Sequence, residues 1–161
     1  MRLLIIRHAI AVPRGTPDMP DDERPLTRRG IRRFRTAAQG LARLIPKPDA
    51  IFTSPLRRAR QTARIAARAW GGPRPEETGA LAGGEFEEVA VTLSGFGKET
   101  VVIVGHEPQL SAILARVLGG AEQDRVTFKK GGVALLDVPD RLEDGGTLLA
   151  YLSPRVLRQV R

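Results

Sequence analysis

The 161-residue chain contains no cysteine, two histidines, one tryptophan and one tyrosine. Without cysteine there can be no disulfide, no thiolate-bound zinc, no iron–sulfur cluster and no cysteine nucleophile, a composition suited to a reducing compartment. So few aromatic rings leave little surface for bases to stack on, which argues against a nucleic-acid binder. No apolar run approaches the roughly 18 residues that a membrane helix requires. The opening run Leu3-Leu4-Ile5-Ile6 meets Arg7-His8 at once and is too brief for a signal-peptide core. A cytoplasmic protein with no membrane association is therefore expected. The 42% hydrophobic and 27% charged residues are ordinary globular usage, and the length suits a single domain over residues 1–161.

What the chain has in excess is arginine, and its formal net charge is +8. The excess is uneven: residues 1–70 hold 16 Lys/Arg against 5 Asp/Glu, whereas residues 71–161 hold 10 against 13. Such asymmetry points to an anionic partner, whether nucleic acid, phosphorylated protein or phosphate ester. Part of it has a plainer origin. Thr27 is a suitable N-cap for a helix to about Leu44, with Ile31, Phe34, Ala38, Leu41 and Ile45 on one face and Arg28, Arg32, Arg35 and Arg43 on the other.

The remaining pattern alternates strand and helix. Short apolar runs at 3–6, 50–53 and 101–104 read as strands covered on both faces. Residues 12–26, with four prolines, read as loop. Ser54-Pro55 suggests an N-cap and first helical position, and Leu56, Ala59, Ala63, Ala66 and Trp70 form the buried stripe of that helix. Residues 71–84 read as loop, 85–94 as a short helix, and Pro108 opens a further helix ending at Gly119-Gly120. Strands are expected near 125–129, 132–138 and 147–152, the last two as a hairpin across 139–146. This order predicts an α/β fold, a three-layer α/β/α sandwich with a mostly parallel central sheet.

Both histidines follow four-residue apolar strands: His8 after Arg7, and His106 after Gly105. Thr53-Ser54 ends another strand and leads into Arg57 and Arg58. In open α/β sheets the binding crevice lies outside the carboxyl ends of the strands. Two imidazoles and several guanidiniums converging there suit a phosphoryl group, because arginine forks onto its oxygens and imidazole can attack phosphorus. A metal site would need a third ligand from Asp or Glu, since there is no cysteine, and no HExxH-type spacing exists; no metal and no cofactor are expected.

Four motifs together carry a family resemblance: Arg7-His8-Ala9, Arg24-Pro25-Leu26-Thr27 with Gly30, Ser54-Pro55-Leu56-Arg57-Arg58-Ala59-Arg60-Gln61-Thr62, and Val104-Gly105-His106-Glu107-Pro108. The chain resembles the histidine phosphatase superfamily, and within it the SixA-type phosphohistidine phosphatases, over essentially its whole length. The resemblance implies a phosphoglycerate-mutase-like fold. It makes His8 the residue that becomes phosphorylated, Arg7 and Arg58 phosphate-binding arginines, and His106 a second histidine contacting the phosphoryl oxygens. Arg57 is then a surface residue.

Ala9 stands where most of the superfamily has glycine, a change that matters only if its backbone needs a positive φ. The long insertion that carries a proton-donating carboxylate in the mutases and broad phosphatases is absent. Asp21 matches an acid of the SixA-type pattern and is the candidate catalytic acid, with Glu85 and solvent water as the alternatives. Expelling imidazole, whose conjugate acid has a pKa of about 6.5, needs little protonation, whereas expelling an alkoxide needs a placed acid. The implied function is a metal-independent phosphatase acting on a phosphohistidine-bearing signalling or phosphotransfer protein, as a monomer. The alternatives are a small-molecule phosphomonoesterase of the same superfamily and a non-catalytic binder of phosphoprotein or nucleic acid.

Overall fold

A computed structural model describes residues 1–94, 99–120, 126–139 and 141–160. The strands are β1 (Arg2–Arg7), β2 (Ala50–Thr53), β3 (Glu76–Glu77), β4 (Thr100–Gly105), β5 (Val133–Asp137) and β6 (Thr147–Leu152). The helices are α1 (Arg28–Leu44), α2 (Arg57–Trp70), α3 (Phe86–Leu93), α4 (Gln109–Val117) and α5 (Pro154–Leu157). One sheet runs in the order β3-β2-β4-β1-β5-β6. β1 to β4 are mutually parallel, while β5 runs antiparallel to both β1 and β6.

The continuous apolar runs are explained by burial on both faces. On β1, Leu3 and Ile5 face the core under α3 and α4, while Leu4 and Ile6 face the core under α1, α2 and α5. Val101 and Ile103 alternate with Val102 and Val104 on β4 in the same way. These are three layers, with helices on both faces of a mostly parallel sheet.

Helix α1 starts as its sequence dictates: the Thr27 hydroxyl accepts a hydrogen bond from the Gly30 amide at 2.9 Å. Gly30 itself is required by close approach, since a Cβ there would lie 2.1 Å from the Ile10 carbonyl oxygen. Ala9 poses no conformational difficulty, because the only described non-glycine residue with positive φ is Asp18.

Three local expectations need correction. Ser54 does not cap α2, which begins at Arg57 with Leu56 in the cap position and no side-chain cap; the serine is drawn into the site described below. Residues 126–129 form no strand, because their polar groups are taken up by side chains and turns instead of a ladder, and Arg125 lies outside the described residues. Residues 71–84 are not wholly loop: β3 extends the sheet beside β2, and a 3₁₀ turn spans Gly79–Ala82. The 132–138 and 147–152 strands do pair as a hairpin.

Candidate active site

The carboxyl ends of β1, β2 and β4 meet at one rim of the sheet, and each delivers one element of the site. β1 ends in Arg7 and His8. The His8 ring is 6% exposed, and its Nδ1 lies 2.7 Å from the Ala9 carbonyl oxygen. A carbonyl can only accept, so Nδ1 carries the proton and the Nε2 lone pair is left free. Burial is the main reason its pKa falls to about 3; the Ala9 carbonyl opposes the shift, and the charges of His106, Arg58 and Arg7 add to it. His8 is therefore a neutral imidazole at physiological pH.

β4 delivers His106, whose ring centroid lies 5.1 Å from that of His8. Its Nε2 is 2.8 Å from the Ser54 hydroxyl at the end of β2. Burial, followed by the Arg58 charge, lowers its pKa to about 4. The first turn of α2 supplies Arg58, 3% exposed. Its neighbour Arg57 faces solvent and lies 3.7 Å from Glu23.

The SPxxRAxQT stretch turns out to be a set of clamps. The Thr62 hydroxyl accepts from the Ala9 amide at 3.0 Å and donates to the Arg58 carbonyl at 2.7 Å, tying the loop after His8 to α2. Gln61 accepts from the Leu26 amide at 2.7 Å, fastening the far end of the 12–26 loop. Glu107 follows His106 but points away from it. Its carboxylate accepts from the Ser111 hydroxyl at 2.7 Å and the Phe128 amide at 2.6 Å, and the Phe128 carbonyl in turn accepts from Arg7. Glu107 thus holds Arg7 in place through one residue, Phe128. Ser54, Gln61, Thr62 and Glu107 all lie in motifs visible in the sequence, but spacing cannot tell which group a hydroxyl or carboxylate will meet.

Asp21 enters the site by a different route from a free acid. Its carboxylate receives Arg14 Nε at 2.9 Å, Arg24 Nε at 3.0 Å and Arg58 Nη2 at 3.1 Å, and its backbone carbonyl accepts from Arg58 Nη1. Partial burial would raise its pKa, but the Arg14 hydrogen bond and the charges of Arg58 and Arg24 outweigh this and bring it to about 2. Such a group is ionised at any physiological pH. Glu85 is exposed and engaged in the capping box of α3, where its amide donates to Glu88 at 3.1 Å.

Three buried nitrogens at this rim have no hydrogen-bond partner among the described residues: Arg7 Nε, Arg58 Nε and His106 Nδ1. Unmet buried donors are costly, and a group of them beside cations is the signature of an oxyanion site. The arrangement can hold a tetrahedral anion against a neutral imidazole. Among the described residues no group of three or more His, Asp or Glu is arranged to hold a metal. No described helix is long and apolar enough to cross a membrane.

The paired histidines make stability acid-sensitive. In the unfolded chain both would protonate below about pH 6.5, whereas the folded protein resists until about pH 3 for His8 and about 4 for His106. Their folded pKa values are depressed, so both are neutral and contribute nothing above pH 6.5. Below it the unfolded state binds more protons, and stability falls by about 1.4 kcal/mol per pH unit for each histidine. Urea unfolding between pH 7 and 4.5 should show this slope, and His8→Gln should roughly halve it. A flat profile would mean that the imidazoles are not held neutral.

Comparison with known proteins places the chain in a family. The model of the histidine phosphatase superfamily (branch 1) matches residues 3–90. An uncharacterised protein of Picosynechococcus sp. is 36% identical over 138 residues, covering 83% of this chain and 82% of its own. Among solved structures, the protein histidine phosphatase SixA complexed with tungstate superposes with a TM-score of 0.84 at 24% identity, covering 96% of this chain and 98% of its own. A Nakamurella multipartitia protein assigned the SixA name gives 0.76 at 27% identity, with 95% of each chain covered. With a matching family model, a shared phosphoglycerate-mutase-like fold and this rim of histidines and arginines, the chain belongs to the histidine phosphatase superfamily and is a phosphatase of that family.

Proposed function

We propose that this phosphatase removes the phosphoryl group from phosphohistidine on a signalling or phosphotransfer protein. His8 is the nucleophile, Arg7, Arg58 and His106 hold the phosphoryl oxygens, and Asp21 braces Arg58. The observation that carries this reading is the state of the two candidate acids. Asp21 is locked as a carboxylate under three arginines, and Glu85 is occupied at a helix start. A site with no poised acid suits a leaving group that needs little protonation, and imidazole is one.

In the first step the Nε2–phosphorus bond forms as the phosphorus–nitrogen bond of the substrate breaks, in line. The charge on the equatorial oxygens is met by the two guanidiniums and by His106. The substrate ring is protonated from solvent at its other nitrogen, so that it departs as neutral imidazole and no protein acid is needed. In the second step water attacks phosphorus, the Nε2–phosphorus bond breaks, and inorganic phosphate leaves with His8 again neutral.

The test is a substrate panel with chelator present: a phosphohistidine protein, an aryl phosphate and an alkyl phosphate. The expected order of kcat/KM follows leaving-group acidity, with phosphohistidine fastest and the alkyl ester slowest. An alkyl phosphate turned over as fast as phosphohistidine would overturn the reading in favour of a small-molecule phosphomonoesterase. No turnover of any of the three would favour a non-catalytic binder.

Asp21→Asn separates bracing from acid catalysis. As a brace its loss loosens Arg58 for every substrate alike, and all three rates should drop by a similar factor, about tenfold. A loss concentrated on the alkyl ester would return Asp21 to the role of general acid.

A further inference from the structure

Beside the nucleophile lies a second feature that the chemistry of the site does not use. A cleft of about 220 Å³ begins at Ala9, the residue after His8, and is lined by the cations Arg33, Lys129, Lys130, Arg155 and Arg158. They come from three separate parts of the chain. Arg33 is one turn into α1, where Gly30 packs against Ile10; the two lysines sit in the turn before β5; and Arg155 and Arg158 lie on and just after α5. The lysine turn is fastened directly to the site, since the Gly131 amide donates to the His8 carbonyl at 3.1 Å and the Phe128 carbonyl receives Arg7.

These cations differ from most others near the rim, although Arg7 too has no carboxylate partner among the described residues and meets the Phe128 carbonyl. Arg14, Arg24, Arg57 and Arg58 each meet a carboxylate. Among the described residues none of the five cleft cations forms an ion pair, and no acidic side chain lines the cleft. Arg158 shows the consequence: burial lowers its pKa, and the neighbouring charges of Arg33 and Arg155 push it further down. Like charges gathered from three segments repel one another, and an anion lying across them relieves that repulsion.

We propose that this cleft docks an acidic segment of the protein that presents the phosphorylated residue, with Asp and Glu side chains of that protein lying along the five cations. The proposal rests on the reading of a protein-borne phosphohistidine substrate. Charge complementarity of this kind acts mainly on encounter and KM and is screened by salt. It leaves the chemistry at His8 untouched.

The experiment compares two pairs of synthetic peptides. One pair carries a central phosphohistidine flanked by Asp/Glu or by Gln/Asn; the other carries phosphotyrosine in the same two flanks. The intact protein is compared with the triple variant Lys129→Ala, Lys130→Ala, Arg155→Ala, and a free aryl phosphate reports on the site itself. At low ionic strength the wild type should favour acidic flanks by about tenfold in kcat/KM, mostly through KM, with the preference fading at high salt. The triple variant should lose the preference and keep its rate on the free aryl phosphate.

Phosphohistidine peptides hydrolysed without regard to their flanks would overturn the docking role and leave the substrate reading standing. Phosphohistidine peptides left intact, with an acidic preference that persists on the phosphotyrosine pair and vanishes in the variant, would overturn the substrate reading and leave docking standing. An equal loss on the free aryl phosphate would show that the cleft cations serve the phosphoryl site and not a partner.

Discussion

Replacing His8 with alanine should abolish turnover and, with it, the covalent intermediate. Wild-type enzyme quenched in acid after brief mixing with labelled substrate should carry phosphate that is acid-labile and base-stable, as a phosphoramidate is. The basis is the environment of the ring: Nδ1 is fixed to the Ala9 carbonyl, and burial holds the imidazole neutral, so Nε2 can attack without prior deprotonation. No other imidazole is equivalent, because His106 Nε2 is engaged with the Ser54 hydroxyl. Loss of a nucleophile of this kind costs on the order of 10⁶-fold in kcat. Label that survived in His8→Ala would transfer the nucleophilic role to another residue, with His106 the first to examine.

The second large effect lies in the first turn of α2. Arg58→Ala should lower kcat/KM about a thousandfold, about 4 kcal/mol, as expected when a preorganised donor to developing charge is removed. Arg57→Ala should change it only a few-fold. The two neighbours differ because Arg58 is 3% exposed and tied to both oxygens of the Asp21 residue that reach it, whereas Arg57 lies outside with Glu23. Steady-state kinetics on a single aryl phosphate decide the matter. Equal losses in the two variants would mean that the helix presents both guanidiniums to the phosphoryl group.

The Asp21 carboxylate ties these effects together. It opposes the burial and the Arg24 charge that pull the Arg58 pKa down, and it anchors the 12–26 loop to α2. The stability this brace contributes is lost as pH falls from about 3.8 to about 2, starting below the pH at which the histidines begin to cost stability.

Much of this protein was legible in its residues. Runs of four β-branched or leucine residues, each bounded by turn or charge, read as strands buried on both faces, and the spacing of Phe34, Ala38 and Leu41 reads as an amphipathic helix. A histidine placed directly behind such a strand must lie at the rim of the sheet, so the identity of the candidate residues and their gathering at one edge followed from sequence order. Other features depended on contacts between distant segments. Whether Ser54 caps a helix or meets His106, whether residues 126–129 pair as a strand or hold Arg7 through Phe128, and whether Asp21 is a free acid or a carboxylate under three arginines were decided only in the fold. The physical reason is that hydrophobic periodicity is a local property, repeated along the chain and readable in a window. A hydrogen bond or a pKa belongs to a pair of groups brought together from opposite ends of the sequence, and the field each feels is set by burial and by neighbours that no local window contains.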